Sequence, residues 1–188
     1  MSAEFPDHPF WDFSLAVYMT EGVGPACIAL QERHQIDVNI LMFLLWLAAS
    51  GRGAVSDADL AAIMTAAGPW HREVVRRIRQ VRTRMKGGFP PAPGDLTESL
   101  RKRIGKIEVD CEHVEQLVLA ASVDRAADSA RSPGARAADA GASIARYFAA
   151  IGAPVAAEDR LAIATVMRVA FKDMPGTEID SLCGRIAA

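Results

Sequence analysis

Apolar residues recur along this chain in helical steps, and no stretch alternates with the period of two that a half-buried strand requires. Phe10, Phe13, Leu15, Val17 and Tyr18 give bulk to a first helix over Phe10 to about Thr20, which Gly22 and Gly24 break. Pro25 suits the first position of a second helix reaching to about His34. From Ile40 to Leu47 the chain is apolar on nearly every side, which predicts a third helix over Val38 to Ala49 at the centre of a bundle, capped by Asp37. Ser56, with Asp59 three residues later, predicts a capped fourth helix that stops at Gly68-Pro69. Val74, Ile78, Val81 and Met85 mark one face of a fifth helix over about Trp70 to Lys86, with Arg72, Arg76 and Arg79 turned well away from it.

A Pro- and Gly-rich loop, Gly87 to Gly94, then leads to Asp95 and Glu98, which read as the cap of a sixth helix. On it Leu100, Ile104, Ile107, Cys111, Val114, Val118 and Ala121 keep the steps of four and three that a long helix with a narrow apolar seam would show. Beyond Val123 the residues are small and polar, and 124–136 reads as a bend or mobile link. Helices over about Ala137 to Ile151 and Ala157 to Lys172 come next, with a short last turn over Thr177 to Arg185. The expected architecture is all-α: one domain over 1–188, a helical bundle of six to eight helices. It has an extended N-terminus (1–9), a central apolar helix (about 38–49) and a charged antiparallel hairpin (about 70–86 and 95–121). A length of 188 residues with 51% hydrophobic and 23% charged residues agrees with one globular domain.

Charge adds a second pattern. Of the 21 Lys and Arg residues, eleven lie between His71 and Lys106, opposed there only by Glu73, Asp95 and Glu98. A chain of net charge −2 is thus divided into a cationic helical pair and an anionic remainder. In an antiparallel hairpin the summed residue numbers of partners stay roughly constant, which pairs Arg72 with Glu112 and Arg76 with Glu108. The competing reading of Arg72, Arg76 and Arg79 is an anion site. Helical projection sets His71 and Arg82 near the apolar stripe, where each must snorkel or find a buried partner.

Candidate chemistry is sparse. Asp37 and Asn39 precede the most apolar helix, as a cap and first-turn amide or as a polar pair aimed into a pocket. The His34/Asp37 and Asp110/His113 pairs lack the further glutamates of a di-metal centre, and Asp124 with Asp128 is a single D-x-x-x-D. No Walker loop, G-x-S-x-G or H-E-x-x-H is present, so no metal, cofactor or catalytic set is expected. Trp11, Trp46 and Trp70 read as core anchors. Three scattered cysteines suit a reducing compartment, and Met1 to Pro9 has no secretory pattern, so a cytoplasmic location is expected. The longest apolar run, Ile40 to Ala49, is about half the ~20 residues of a membrane span, and none is expected.

The opening block resembles an uncharacterised proteobacterial domain-of-unknown-function family, through Phe10 to Leu15, Gly22-Val23, Ala26-Cys27, Leu30-Gln31, Asp37-Val38-Asn39 and Trp46-Leu47. Trp70, the Arg79 to Lys86 stretch and Glu108 to Glu112 are similar to later parts of its pattern. The resemblance implies a bacterial helical protein and gives weight to Asp37, Asn39, Glu108 and Glu112, but it supplies no activity. From the polarised charge, the leading expectation is a non-catalytic module that binds another protein. The alternative is a small-molecule or lipid-type binder, an enzyme included, with an anionic ligand or a pocket beside the central helix lined by Asp37, Asn39, His71 or Arg82. Nucleic acid is not expected, because no aromatic residues interleave with the arginines. Oligomeric state is left open.

Overall fold

In the computed structural model, which describes residues 5–186, Asp37 Oδ1 accepts a hydrogen bond from Asn39 N at 2.9 Å and so starts α3 (Val38–Ala49). Met1 to Glu4, the start of the extended terminus expected over 1–9, lie outside the described residues. All ten residues from Asn39 to Ala48 are buried. Phe43 and Trp46 meet Phe10 at ring-centroid distances of 5.1 and 5.5 Å, a tilted cluster that aromatic quadrupoles favour. Phe10 arrives on α1 (Pro9–Tyr18), which is capped by His8 and followed by α2 (Val23–His34).

Ser56 and Asp59 form the expected reciprocal capping box at the start of α4 (Asp57–Trp70). The helix does not stop at Gly68-Pro69, however. Helical backbone continues through a π-helical turn (His71–Val75) into α5 (Arg76–Arg84). Pro69 has no N–H to donate back to Thr65, and a helix interrupted in this way can absorb one extra residue in a wider turn instead of breaking.

The next helix, α6 (Gly94–Ser122), has Pro93 and not Asp95 at its N-cap, and no side-chain cap. Thr97 closes the first turn on the Pro93 carbonyl instead, and Glu98 pairs with Arg101 at 2.6 Å. Its apolar seam is also not its buried face. Leu100 and Ile107 are 46% and 51% exposed, whereas Thr97, Glu108, His113, Glu115, Gln116 and Leu119 are buried. At about 1.5 Å per residue the 29 residues of α6 run roughly 43 Å, well over twice the length of α3. Its first turns lie against α5 and the loop that follows it, around a cavity lined by Val81, Phe89, Leu96 and Leu100.

The alanine-rich last third completes the bundle. α7 (Pro133–Ala150) packs on α3, α8 (Ala157–Ala170) packs on α2, and α9 (Gly176–Gly184) packs on α8. The segment before α7 is held by Asp128 N donating to Gly51 O at 3.0 Å, Arg52 Nε to Arg125 O at 3.0 Å and Arg125 Nη1 to Ala54 O at 2.8 Å. With α4, the π turn and α5 counted as one rod, the described residues hold eight helical rods and no strand. No single helix among them is long and apolar enough to cross a membrane.

Candidate functional site

Capping α3 commits Asp37 Oδ1, and the Asp37 N–H donates to the Tyr147 hydroxyl of α7 at 2.8 Å. This leaves Asp37 Oδ2 directed into the core. The π turn brings His71 to meet it. His71 Nδ1 lies 3.0 Å from Asp37 Oδ2 and 3.1 and 3.3 Å from the two oxygens of Glu115 on α6. Asn39 Nδ2 donates to Glu115 Oε2 at 2.9 Å, and Asn39 Oδ1 accepts from Gln116 Nε2 at 2.9 Å. Gln116 also reaches the Ser14 hydroxyl of α1 at 2.8 Å. The rods bearing α1, α3, α4–α5, α6 and α7 thus converge on one polar knot in an apolar interior.

Burial sets the electrostatics. It pushes the Asp37 carboxyl well above its ordinary range, and the neighbouring Glu115 charge pushes it further. Burial also raises Glu115, against the Asn39 hydrogen bond that favours its ionised form. The same desolvation lowers His71, although Asp37 pulls the other way. Burial likewise raises the Tyr147 phenol. Two carboxyls that resist joint ionisation and an imidazole that resists protonation are the kind of group found at sites that move protons or hold cations.

A second layer lies next to this knot. Arg79 Nε donates to Glu108 Oε1 at 2.8 Å, and its other nitrogens bond Glu112 and, at 2.5 Å, Gln31 Oε1. Arg82 donates twice to Glu108. Burial alone would raise Glu108, but the Arg82 and Arg79 hydrogen bonds overcome it and hold its carboxyl below the usual glutamate value. Glu112 goes the other way, because its burial outweighs Arg79.

The charged hairpin therefore exists, but in a different register from the one expected. Arg72 does not meet Glu112. It is exposed and lies 3.8 Å from Glu73. Arg76 does not meet Glu108 either, and donates to Gln35 Oε1 at 3.2 Å. Arg72 lies within the π turn and faces away, while Arg76 and Arg79 follow the turn on α5 and stay on one side of it. His71 and Arg82, set near the stripe by projection, both find carboxylates.

Between α2 and α5 a cleft of about 670 Å³ opens onto His71. Arg76, Arg79 and Arg84 line it with Gln31 and Gln35, and Glu32 is the single carboxylate of the lining. Arg76 and Arg84 have no carboxylate partner among the described residues. Gln35 sits at φ 57°, a left-handed conformation uncommon for a residue with a side chain, and its amide meets Arg76 there.

Other sequence candidates fall elsewhere. His34 Nε2 lies 2.9 Å from Asp159, not beside Asp37. His113 stacks on Trp11 at a centroid distance of 3.9 Å. Asp124 and Asp128 lie in non-helical chain, so they form no paired helical motif. Trp46 is a core anchor, while Trp11 and Trp70 are half-buried, the latter donating to Cys111 O at 2.9 Å. All three cysteines are free, and burial pushes the Cys27 thiol up to about 12. Glu115, Gln116 and Tyr147 were missed from the sequence. A signal for Glu115 was present, since Glu108, Glu112 and Glu115 repeat the same steps of four and three as the apolar seam.

A family model described as "Protein of unknown function (DUF2390)" matches residues 9–119, which carry Asp37, Asn39, His71, the arginine layer and Glu115. No curated protein and no solved structure matches the chain significantly.

Proposed function

The chain belongs to this family of unknown function, and from the geometry of its site we propose that it binds a small anionic molecule in the cleft between α2 and α5. The observation that carries this reading is the pair of cleft arginines, Arg76 and Arg84, which no carboxylate neutralises among the described residues. Guanidinium groups match carboxylates and phosphates through planar, charge-assisted bonds. A cleft of about 670 Å³ is in the range of small-molecule sites, and Gln31 and Gln35 supply neutral donors beside the arginines. His71 forms part of the wall, so a bound anion would sit next to the polar knot.

Thermal unfolding against a panel of small carboxylates and phosphates tests this reading. At least one member is expected to raise Tm, and replacing Arg76 and Arg84 together by Ala is expected to weaken its binding at least tenfold, about 1.4 kcal/mol. A panel with no stabilising member, or a double variant that binds equally well, would refute it.

A second reading, docking of another protein, is favoured by a different observation. At the hairpin tip Val81, Phe89, Leu96 and Leu100 remain substantially exposed around another cavity of about 670 Å³. Arg84 and Lys86 stand close by in the sequence, which suits an acidic partner with an apolar face. Leu96→Glu is expected to abolish salt-sensitive retention of such a partner. Retention equal to that of the wild type would remove this reading.

A further inference from the structure

We propose that Asp37 Oδ2, His71 Nδ1 and the Glu115 carboxylate form a binding site for one divalent transition cation. The three donors lie within 4.8 Å of one another. A cation about 2.1 Å from each donor would hold them roughly 3.0 Å apart at right angles and roughly 3.4 Å apart at tetrahedral angles. His71 Nδ1 lies 3.0 Å from Asp37 Oδ2 and 3.1 and 3.3 Å from the two Glu115 oxygens, so each carboxylate stands from the imidazole at the spacing of one such edge.

Hydrogen bonding alone leaves this cluster incomplete. Nδ1 carries at most one proton, so it cannot donate to both carboxylates at full strength. Asp37 Oδ2 is buried and has no hydrogen-bond partner, because its 3.0 Å approach to Nδ1 lacks hydrogen-bond geometry. Asp37 is 6% exposed and Glu115 is 0% exposed. The half-buried guanidinium of Arg79 is occupied by Glu108 and Glu112. A dication would balance both carboxylates at once, and burial of unbalanced carboxylates is otherwise costly.

The surroundings are those of a metal site. Asn39 Nδ2 orients Glu115 Oε2, and Gln116 and Ser14 hold Asn39 in turn, an outer layer of the kind that fixes ligand geometry. One imidazole and two carboxylates select Zn²⁺, Mn²⁺ or Fe²⁺ over Mg²⁺ and Ca²⁺, which prefer all-oxygen shells. Three protein donors leave further positions open, and His71, with 12% of its side chain exposed, connects the cluster to the cleft. The inference goes beyond anion binding and does not require it.

The test is calorimetric titration of the full chain, stripped with EDTA, with Zn²⁺ and Mn²⁺ separately, and with Mg²⁺ and Ca²⁺ for comparison. One Zn²⁺ per chain is expected, and Mg²⁺ and Ca²⁺ should give no comparable heat. Asp37→Asn puts an amide oxygen in place of the carboxylate oxygen that caps α3, and Glu115→Gln keeps an acceptor for Asn39. Each should weaken Zn²⁺ and Mn²⁺ binding roughly 100-fold. Each also leaves one carboxyl where two resist joint ionisation, so the metal-free variants should melt at or above the wild-type temperature, which separates lost ligation from lost folding. Absence of binding by the wild type, or unchanged affinity in both variants, would overturn the site and leave two carboxyls sharing a proton. The Arg76/Arg84 double variant should keep or raise Zn²⁺ affinity, since the Arg76 charge repels a cation at His71, so failure of the anion reading and failure of the cation site are read independently.

Discussion

Gly51→Ala is expected to destabilise the fold by roughly 2–5 kcal/mol and to lower Tm by about 10 °C. Two effects add. Gly51 sits at φ 80°, where a Cβ costs about 1–2 kcal/mol. A Cβ there would also overlap the Asp128 carbonyl oxygen and approach the Asp128 carbonyl carbon to 3.1 Å, and both are backbone atoms that cannot rotate away. Relief requires the 123–132 segment to move, which strains the Asp128 N to Gly51 O bond and the paired Arg52 and Arg125 contacts. Gly53→Ala is the control. Gly53 has φ 83° and nothing within 4 Å of a built Cβ, so only the backbone term of about 1–2 kcal/mol applies. Urea unfolding of both variants checks the prediction, and equal losses would show that the segment before α7 is not held against Gly51.

Glu108→Ala is expected to cost about 2–4 kcal/mol, somewhat below the loss for a fully buried pair because Arg82 is 33% exposed and can turn to water. The substitution removes one acceptor that serves two guanidinium groups, and Arg79 keeps only Glu112 and Gln31. Glu108→Gln, which preserves shape without charge, should cost roughly half as much. The pH dependence comes from the depressed carboxyl. Its stabilisation is fully present above the ordinary glutamate value of 4.5 and is lost as pH falls through the lower folded value. The stability gap between wild type and Glu108→Gln should therefore be constant from pH 7 to about 5 and close below pH 4, since a protonated glutamate resembles glutamine. A gap that persists at pH 3 would mean that Glu108 acts through packing and not through its charge.

Much of the helical layout was legible along the chain. α3 occupies the expected residues because its apolar run and its Asp37 cap are both local features, and the Ser56–Asp59 box is local in the same way. The periodic positions of α6 misled, since a 4-3 repeat identifies a face but not what covers it. Leu100 and Ile107 fall on a face left to solvent, while Glu108 and Glu115 fall on the face buried under neighbouring helices. The ion-pair register failed because a constant sum of residue numbers has to be anchored by where the two rods approach each other, which spacing along the chain does not give: Arg79 and Arg82, not Arg72 and Arg76, meet Glu108 and Glu112. Asp37, Asn39 and His71 were singled out separately, yet Glu115, which joins them, was not.

The sequence by itself determined that this protein is helical, where most of its helices begin and end, and that its cations gather on one hairpin. Those properties arise from periodicity, capping and composition, which act over a few neighbouring residues. Only the tertiary structure decided which polar groups meet. Asp37, His71, Glu115 and Tyr147 are brought together from four separate helical rods by the packing of the bundle and by the widened turn after Pro69, and neither can be read from spacing along the chain.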